Sequence, residues 1–408
     1  MSTEQFVIVG GGRASVFAAE ELRARGFSGG IRLIAAEAHP PYDHPPLSKG
    51  YLIGNDELDD VYLHPRDWYE ERQIGLVTGV SADALDVSAH RLTLSTGEQL
   101  GYDRLLLATG ARARMLGLPG ERQAGVHGLR TIDDAVALRE ALVAGGRSVV
   151  IIGAGWIGME IAASARALGN EVTVVGRGAV PLAAAIGDEL GGYLRRLHER
   201  NGVVLRMETG VAGIEGGGRA TGVALQGAQS LPADVVVVAA GAEPELELAA
   251  AAGLDLDDGV LTDESLATSA ADVFAAGDIA NAYHPVLGGR LRTEHWSNAS
   301  DQGAVAARSM LGERAVFDAI PYFFTDQFDF GMEYSGFGAL AASAEIVYRG
   351  ERESGEFIAF WVDDRRRVVA GMNVNVWDVN EQIQALIRDG RPVDLDRLRD
   401  GDVELSSL

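Results

Sequence analysis

Apolar residues fall along this chain in short blocks bounded by glycine or polar positions. Phe6-Val7-Ile8-Val9, Ile31-Arg32-Leu33-Ile34, Tyr102–Gly110, Ser148-Val149-Val150-Ile151-Ile152, Glu171–Val175 and Asp234–Gly241 each contain such a block. Near-continuous apolar runs of this length predict strands buried on both faces, as in a parallel sheet. Between the first two blocks, Ala18, Ala19 and Leu22 recur at helical spacing and predict a helix to about Arg25. A second helix is predicted to about Leu168, between the blocks at 148–152 and 171–175. Val77 to Leu100 instead alternates apolar and polar positions, with turn signals at Ser88-Ala89-His90 and Thr96-Gly97, and predicts a small antiparallel insertion. A helical piece is expected around Pro65–Tyr69. Ala111 to Gly120 reads as a linker. From Pro321 the pattern changes: aromatic Tyr322–Phe328, strands at Glu345–Tyr348, Phe357–Trp361 and Val368–Ala370, then a helix from about Asp378 to Asp389.

The junctions between blocks carry the chemistry. Gly10-Gly11-Gly12-Arg13-Ala14-Ser15 joins the first strand to the first helix, and the next strand ends at Ala35-Ala36-Glu37, twenty-seven residues after Gly10. In such a turn the first glycine makes the bend and the second lets the backbone approach a pyrophosphate. The helix N-terminus supplies amide donors, and a small third residue lets helix and strand pack closely. Here that third residue is Ser15. Glu37 is placed to accept from ribose hydroxyls. Gly153-Ala154-Gly155-Trp156-Ile157-Gly158 repeats the pattern in full, 143 residues later. Its following strand ends Val175-Gly176-Arg177, without the acid that would bind the adenosine ribose of NAD. Arg177 is placed to face a 2′-phosphate, so the reading leans to NADPH and leaves NADH open.

Composition narrows the chemistry. There is no cysteine, which excludes disulfides, thiolate-held iron–sulfur clusters, zinc–thiolate sites and dithiol redox catalysis within this chain. Any redox step belongs to a bound organic cofactor. The formal charge of −24 predicts that neither nucleic acid nor an anionic membrane is a partner. The one Arg triplet, Arg365-Arg366-Arg367, reads as a hairpin turn. No run of about 18 apolar residues is present, and the start of the chain has neither a basic n-region nor a cleavage site, so the expected location is cytoplasmic. Lys49, in Pro45-Pro46-Leu47-Ser48-Lys49, is the only lysine among the 408 residues.

Two dinucleotide turns in a cysteine-free chain suggest FAD and a nicotinamide cofactor, NADH or NADPH, with hydride passing between their rings. The expected fold is α/β: two Rossmann-like dinucleotide-binding domains plus a C-terminal α+β domain. The boundaries read 1–114 and 245–320 for the two parts of the FAD domain, 115–244 for the NAD(P) domain and 321–408 for the last. Asp272–Asp278 is a further strand ending in Gly277-Asp278, where ligands bind in open α/β sheets. Glu294-His295-Trp296-Ser297-Asn298 opens an Ala-rich helix whose N-terminus is a candidate for stabilising negative charge on a reduced flavin. The aromatic segment reads first as core, with Phe323 or Phe324 touching the flavin as the sharper alternative.

These residues resemble the FAD-dependent pyridine-nucleotide reductases of the ferredoxin, rubredoxin and putidaredoxin reductase type, which have a glutathione-reductase-like fold. The resemblance covers essentially the whole chain. It rests on Gly10–Ser15, Pro41-Tyr42-Asp43-His44-Pro45-Pro46-Leu47-Ser48-Lys49, Ala108-Thr109-Gly110, Arg130-Thr131, Gly153–Glu160, Gly277-Asp278, Glu294–Asn298 and Thr325-Asp326-Gln327. It implies that Lys49 lies by the flavin N5 edge, paired with Glu160, and that these two are catalytic. Gly10, Gly12, Ser15 and Glu37 would hold the adenosine diphosphate of FAD. Asp278 would take a ribityl hydroxyl, Trp296 would lie by the pyrimidine edge, and Arg130 would flank the cofactor. Ala14, His44, Val80, Ala108, Thr109, Gly110, Gly277, Glu294, His295 and Phe324 complete the expected FAD contacts. Gly153, Gly155, Trp156, Ile157, Gly158, Glu160, Arg177 and Gly241 form the expected NAD(P) site. No metal site is expected.

Three departures from the family pattern stand out. His44 replaces an Arg and loses a fixed cation near the FAD phosphates. Gly176 replaces an acid, and Phe324 replaces a Trp. The function implied is hydride transfer from NAD(P)H to FAD, then single electrons to a small iron–sulfur protein, a ferredoxin or rubredoxin. The alternative is an NAD(P)H oxidase or apoptosis-inducing-factor-like flavoprotein that uses oxygen or a quinone. Monomer and homodimer both remain open.

Overall fold

Unbroken apolar strands need cover on both faces, and each of two parallel sheets is covered by helices on one face and by a small antiparallel sheet on the other. The computed structural model describes residues 4–227 and 229–408. In the first sheet, Gln5–Val9 is central, paired in parallel with Gly30–Ala35 on one side and Arg104–Leu107 on the other. Ile74–Thr78 and Val273–Ala275 form the two edges. Val77, expected in the antiparallel insertion, therefore lies in this parallel sheet. An edge strand is covered on fewer sides, so its partly polar pattern imitates alternation. The insertion itself is the three-stranded antiparallel sheet Ala82–Asp86, Arg91–Leu94 and Gln99–Gly101.

The second sheet repeats this plan. Ser148–Ile152 is central, with Glu171–Val175 and then Val204–Arg206 on one side. Val235–Val238 and Val126–His127 lie on the other. The connection from third to fourth strand is again a three-stranded antiparallel sheet, Val211–Gly216, Ala220–Leu225 and Ser230–Pro232. The duplication read from two glycine turns thus extends to strand order and to the crossover insertion. The start of the expected linker is itself a short strand, Ala111–Ala113.

The C-terminal segment is a five-stranded sheet in the order Tyr322–Gln327, Phe330–Gly336, Val368–Val374, Glu356–Val362, Glu345–Glu351. Arg365–Arg367 does close a hairpin: Asp363 accepts from the amides of Arg365 and Arg367 and pairs with the Arg367 guanidinium. The helix Asn380–Asp389 packs on this sheet with Ile383 fully buried.

The chain forms two compact units. One holds residues to Asp43, Asp59–Arg112 and Glu243–Tyr322; the other holds His44–Leu58, Ala113–Ala242 and Phe323–Leu408. Position in the sequence assigns 44–58 to the first unit, but it belongs to the second. Leu52 is fully buried in one core with Leu138, Leu142 and Ile161. That core also takes Phe330, Met332 and Trp361, so one face of the last segment's sheet shares a hydrophobic core with the second sheet, while Ile358, Phe360 and Ile383, also buried, lie outside it. Among the described residues no helix is long and apolar enough to cross a membrane.

Candidate active site

Both glycine turns show the same local logic. Gly10 and Gly153 adopt φ of 132° and 120°, and a Cβ on either would strike the carbonyl oxygen of Ala108 or Ala239 on the neighbouring strand. Only glycine fits. Gly12 and Gly155, by contrast, face open space: a Cβ there meets nothing within 4 Å. Each is the N-cap of its helix, Arg13–Ala24 or Trp156–Ala167. Neither helix has a side-chain cap or an acid in its first turn. The helix Ile132–Leu142, with no such role, carries a complete capping box from Thr131 and Asp134. Uncapped first-turn amides beside an open glycine are what a pyrophosphate requires, so the residues present fit a dinucleotide at each turn.

In the first unit, Glu37 is exposed at its strand end and accepts from the Tyr42 hydroxyl at 2.7 Å. Ser15 is fully buried and its hydroxyl meets no partner, which places it in helix–strand packing. Ala14 packs near Gly277, whose amide donates to Gln302. Ala108 is buried, and Thr109 donates to the Glu245 carbonyl at 3.1 Å, with Gly110 next to it accepting from the Glu245 amide. Val80 donates its amide to Ala35 at the end of the second strand. Asp278 accepts from Arg292 through its carbonyl, and Glu294 pairs with that same Arg292 at 2.7 Å. Trp296 opens the helix Trp296–Met310, with His295 as N-cap. Burial holds the His295 pKa at about 4, so its ring is neutral.

Sequence reasoning missed Arg13. It bonds Asp43 at 2.5 Å and Ser300 at 2.6 Å, and its guanidinium lies 4.2 Å from the Trp296 ring centroid. Its position directly after the glycine run was the available signal. Nearby Asp301 is pushed up to about 6 by burial, against the pull of Arg13.

The second unit holds the remaining residues, including four expected to touch FAD: His44, Lys49, Arg130 and Phe324. Lys49 Nζ lies 2.7 Å from Glu160 Oε1, so the expected pair is formed. Glu160 is on the buried face of the second fingerprint helix, only 4% exposed. Its other partners were not foreseen. Ser48 donates to Oε2 at 2.5 Å and Thr325 donates to Oε1 at 2.5 Å. The signal for Thr325 was strand alternation, which puts Thr325 and Gln327 on one face, both buried. Asp326, on the opposite face, is raised by burial and by Glu160, with Lys49 opposing. Phe324 lies 5.4 Å below the Lys49 ammonium, whereas Phe323 packs on Trp156 and Tyr334 as core.

His44 does not restore the cation its position lacks. Burial, and then the charge of Arg130, hold its pKa at about 3, so it is neutral near pH 7. The Arg130 amide donates to Asp134 at the start of its helix. Gly158 sits against Gly153, Ile157 is exposed, and Gly241 accepts from the Arg114 amide. Gly176 is closely approached: a Cβ would lie 2.9 Å from the flexible end of Met207 and 3.0 Å from the Ala154 methyl, so a side chain there requires Met207 to shift. Arg177 beside it is exposed.

Residues 4–303 match the family described as pyridine nucleotide-disulphide oxidoreductase, and residues 322–408 match the reductase C-terminal family. The ferredoxin–NAD(+) reductase component of the anthranilate 1,2-dioxygenase system of Burkholderia cepacia is 38% identical over 408 residues, 100% of both chains. Rhodocoxin reductase of Rhodococcus erythropolis is 39% identical over 356 residues, 87% of this chain and 82% of its own. A solved covalent putidaredoxin reductase–putidaredoxin complex matches with a TM-score of 0.95 at 33% identity, covering 100% of this chain and 98% of the other.

Proposed function

The chain belongs to the pyridine nucleotide-disulphide oxidoreductase family, and from that premise we propose that it is the reductase of an oxygenase system, oxidising a reduced nicotinamide nucleotide and passing electrons to a ferredoxin-type iron–sulfur protein. It is a flavoprotein oxidoreductase whose cofactors are FAD and NADH. One observation carries the choice of acceptor within a family named for disulphides: this chain has no cysteine, so no dithiol can relay electrons onward. FAD, when bound, accepts a hydride and gives up electrons one at a time. Every other part of the task falls to the protein.

We assign the segments 1–114 and 245–320 to FAD, 115–244 to the nicotinamide nucleotide and 321–408 to completing the second unit's core. The turn at Gly10–Gly12 and the uncapped helix behind it hold the FAD pyrophosphate, and Glu37 takes a ribose hydroxyl. The turn at Gly153–Gly155 does the same for the nicotinamide nucleotide. Glu160 lies one helical turn beyond that N-terminus, and Lys49 is fixed on it. This pair orients the nicotinamide and offsets charge that moves during hydride transfer, a preorganised electrostatic role. Ser48 and Thr325 occupy Glu160 from two further directions, so the carboxylate does not swing.

Anaerobic rapid mixing with NADH tests the role of the pair. Lys49→Met is expected to retain FAD and slow flavin reduction by about tenfold or more, as when one charge-assisted contact to the reacting centre is lost. Unchanged reduction in that variant removes Lys49 from the mechanism. Turnover with a ferredoxin, compared with oxygen uptake in air, tests the acceptor. Oxygen consumption equal to NADH use, with no acceleration by any ferredoxin, would replace this reading with an oxidase. We place the protein in the cytoplasm, where reduced nicotinamide nucleotides are regenerated, and cell fractionation checks this.

A further inference from the structure

The ion pair of Lys49 and Glu160 is one end of a buried hydrogen-bonded line. His198 Nε2 lies 2.8 Å from Gln327 Oε1, Gln327 Nε2 donates to Thr325 Oγ1 at 3.2 Å, and Thr325 donates to Glu160 at 2.5 Å. His198 and Thr325 are fully buried and Gln327 is 1% exposed. All lie in the second unit. They come from three stretches of the chain: the helix Ala183–Arg200, the strand Tyr322–Gln327 and the fingerprint helix.

The line has a direction. Glu160 Oε1 lies hydrogen-bond distance from a hydroxyl, so the Thr325 proton must point at it. Thr325 can then only accept from Gln327, which fixes the Gln327 amide with its NH2 toward Thr325 and its oxygen toward His198. That oxygen needs a donor, so His198 carries its proton on Nε2. The other ring nitrogen agrees: Nδ1 is buried without a partner, where a lone pair is tolerated better than an N–H. A reversed Gln327 amide would draw the Thr325 proton to itself and leave two oxygens facing each other at 2.5 Å.

We propose that His198 and Gln327 are positioning residues for the hydride-transfer step: they lock the Thr325 hydroxyl onto Glu160 and so hold that carboxylate, and through it Lys49, in one arrangement. This rests on the assignment of Lys49 and Glu160 to catalysis. Neither His198 nor Gln327 needs to touch a cofactor. A line of polar groups costs stability when buried and repays nothing by packing that leucines would not supply, and its far end stops at a neutral imidazole rather than at solvent.

The test uses the FAD-loaded protein and two pairs of substitutions. Thr325→Val removes the donor; Thr325→Ser keeps it. His198→Phe removes the Nε2 donor; His198→Gln keeps an N–H near the same place. Reduction by NADH is expected to slow about tenfold in Thr325→Val and about threefold in His198→Phe, with KM for NADH unchanged, because the orienting contact is lost directly in one and at a remove in the other. Both conservative variants should restore the rate. The second readout is the infrared carboxylate band of Glu160, isotope-edited with labelled glutamate and assigned by Glu160→Gln. It is expected to shift in Thr325→Val and His198→Phe and to return in Thr325→Ser and His198→Gln. A band and a rate unchanged in His198→Phe would overturn the proposal. So would equal loss in His198→Phe and His198→Gln, which would make the role mere packing. If His198→Phe does not accumulate, Gln327→Met breaks the same line one step nearer the carboxylate and is read the same way. If Lys49→Met leaves reduction unchanged while the band still shifts, it is the catalytic assignment that fails, and the line remains structural fact without a role in hydride transfer.

Discussion

Gly176 and Arg177 decide a question of nucleotide choice at the level of single side chains. An acid after the second strand would bind the adenosine ribose hydroxyls and repel a 2′-phosphate. Here the position is a glycine beside Met207 and Ala154, and the next side chain is an exposed guanidinium. The repulsive element that would exclude NADPH is therefore missing. NADPH is expected to be accepted along with NADH. Arg177→Ala should raise KM for NADPH by roughly threefold to tenfold, the worth of one exposed arginine–phosphate contact, and leave KM for NADH where it was. Steady-state kinetics with both nucleotides check this; equal effects on the two would show that Arg177 does not meet the 2′ position.

At the scale of elements, the FAD-side glycine turn depends on a helix pair. The helix Trp296–Met310 crosses Arg13–Ala24 so closely that a Cβ on Gly303 would strike the Ala14 carbonyl. Ala18 on the first helix and Ala306 and Ala307 on the second are fully buried. Gly303→Val is expected to destabilise the protein by about 2 kcal/mol through overpacking, and to loosen FAD as the helix N-terminus at Gly12 shifts. Thermal unfolding and flavin release measure the two effects separately. This level also shows what sequence could and could not disclose. The glycine turns, their strands and the Lys49–Glu160 pairing were legible, the turns because strand, bend and helix are adjacent in sequence and the pair through family resemblance. The partners of Glu160 were not, because Thr325 stands 165 residues away and His198 meets Gln327 across 129. His198 in particular has apolar neighbours, Leu194 and Leu197, and reads as one more core position. The reassignment of 44–58 has the same cause: the residues that share a core with Leu52, Leu138 and Ile161 among them, are remote in sequence.

For the molecule as a whole, burial lowers the pKa of four histidines, His127 among them, and three of them fall far. His44 is lowered to about 3, and His198 and His295 to about 4, from an ordinary value of 6.5. The unfolded chain binds these protons at 6.5 and the folded chain does not. The stability they leave intact above pH 6.5 is therefore lost as pH falls from 6.5 toward 4. Each histidine contributes up to about 1.4 kcal/mol per pH unit within that window. Asp301, raised to about 6, takes up a proton in the folded chain and offsets one histidine's share. The histidines outweigh it, so the unfolding midpoint should decline as pH falls from 7 to 5, and a flat midpoint would mean that the folded protein takes up the histidine protons too. Substituting His44 with Gln should remove one share of the slope.

A chain with one lysine has, apart from its own amino terminus, a single primary amine, and here that amine, on a side chain only 17% exposed, is clasped by a buried carboxylate. Amine-selective acylating reagents that decorate ordinary proteins at many lysines thus have, apart from the amino terminus, one address in this one. Labelling at Lys49 becomes a meter of how often the clasp opens, and any molecule that covers it becomes visible as protection of a single peptide.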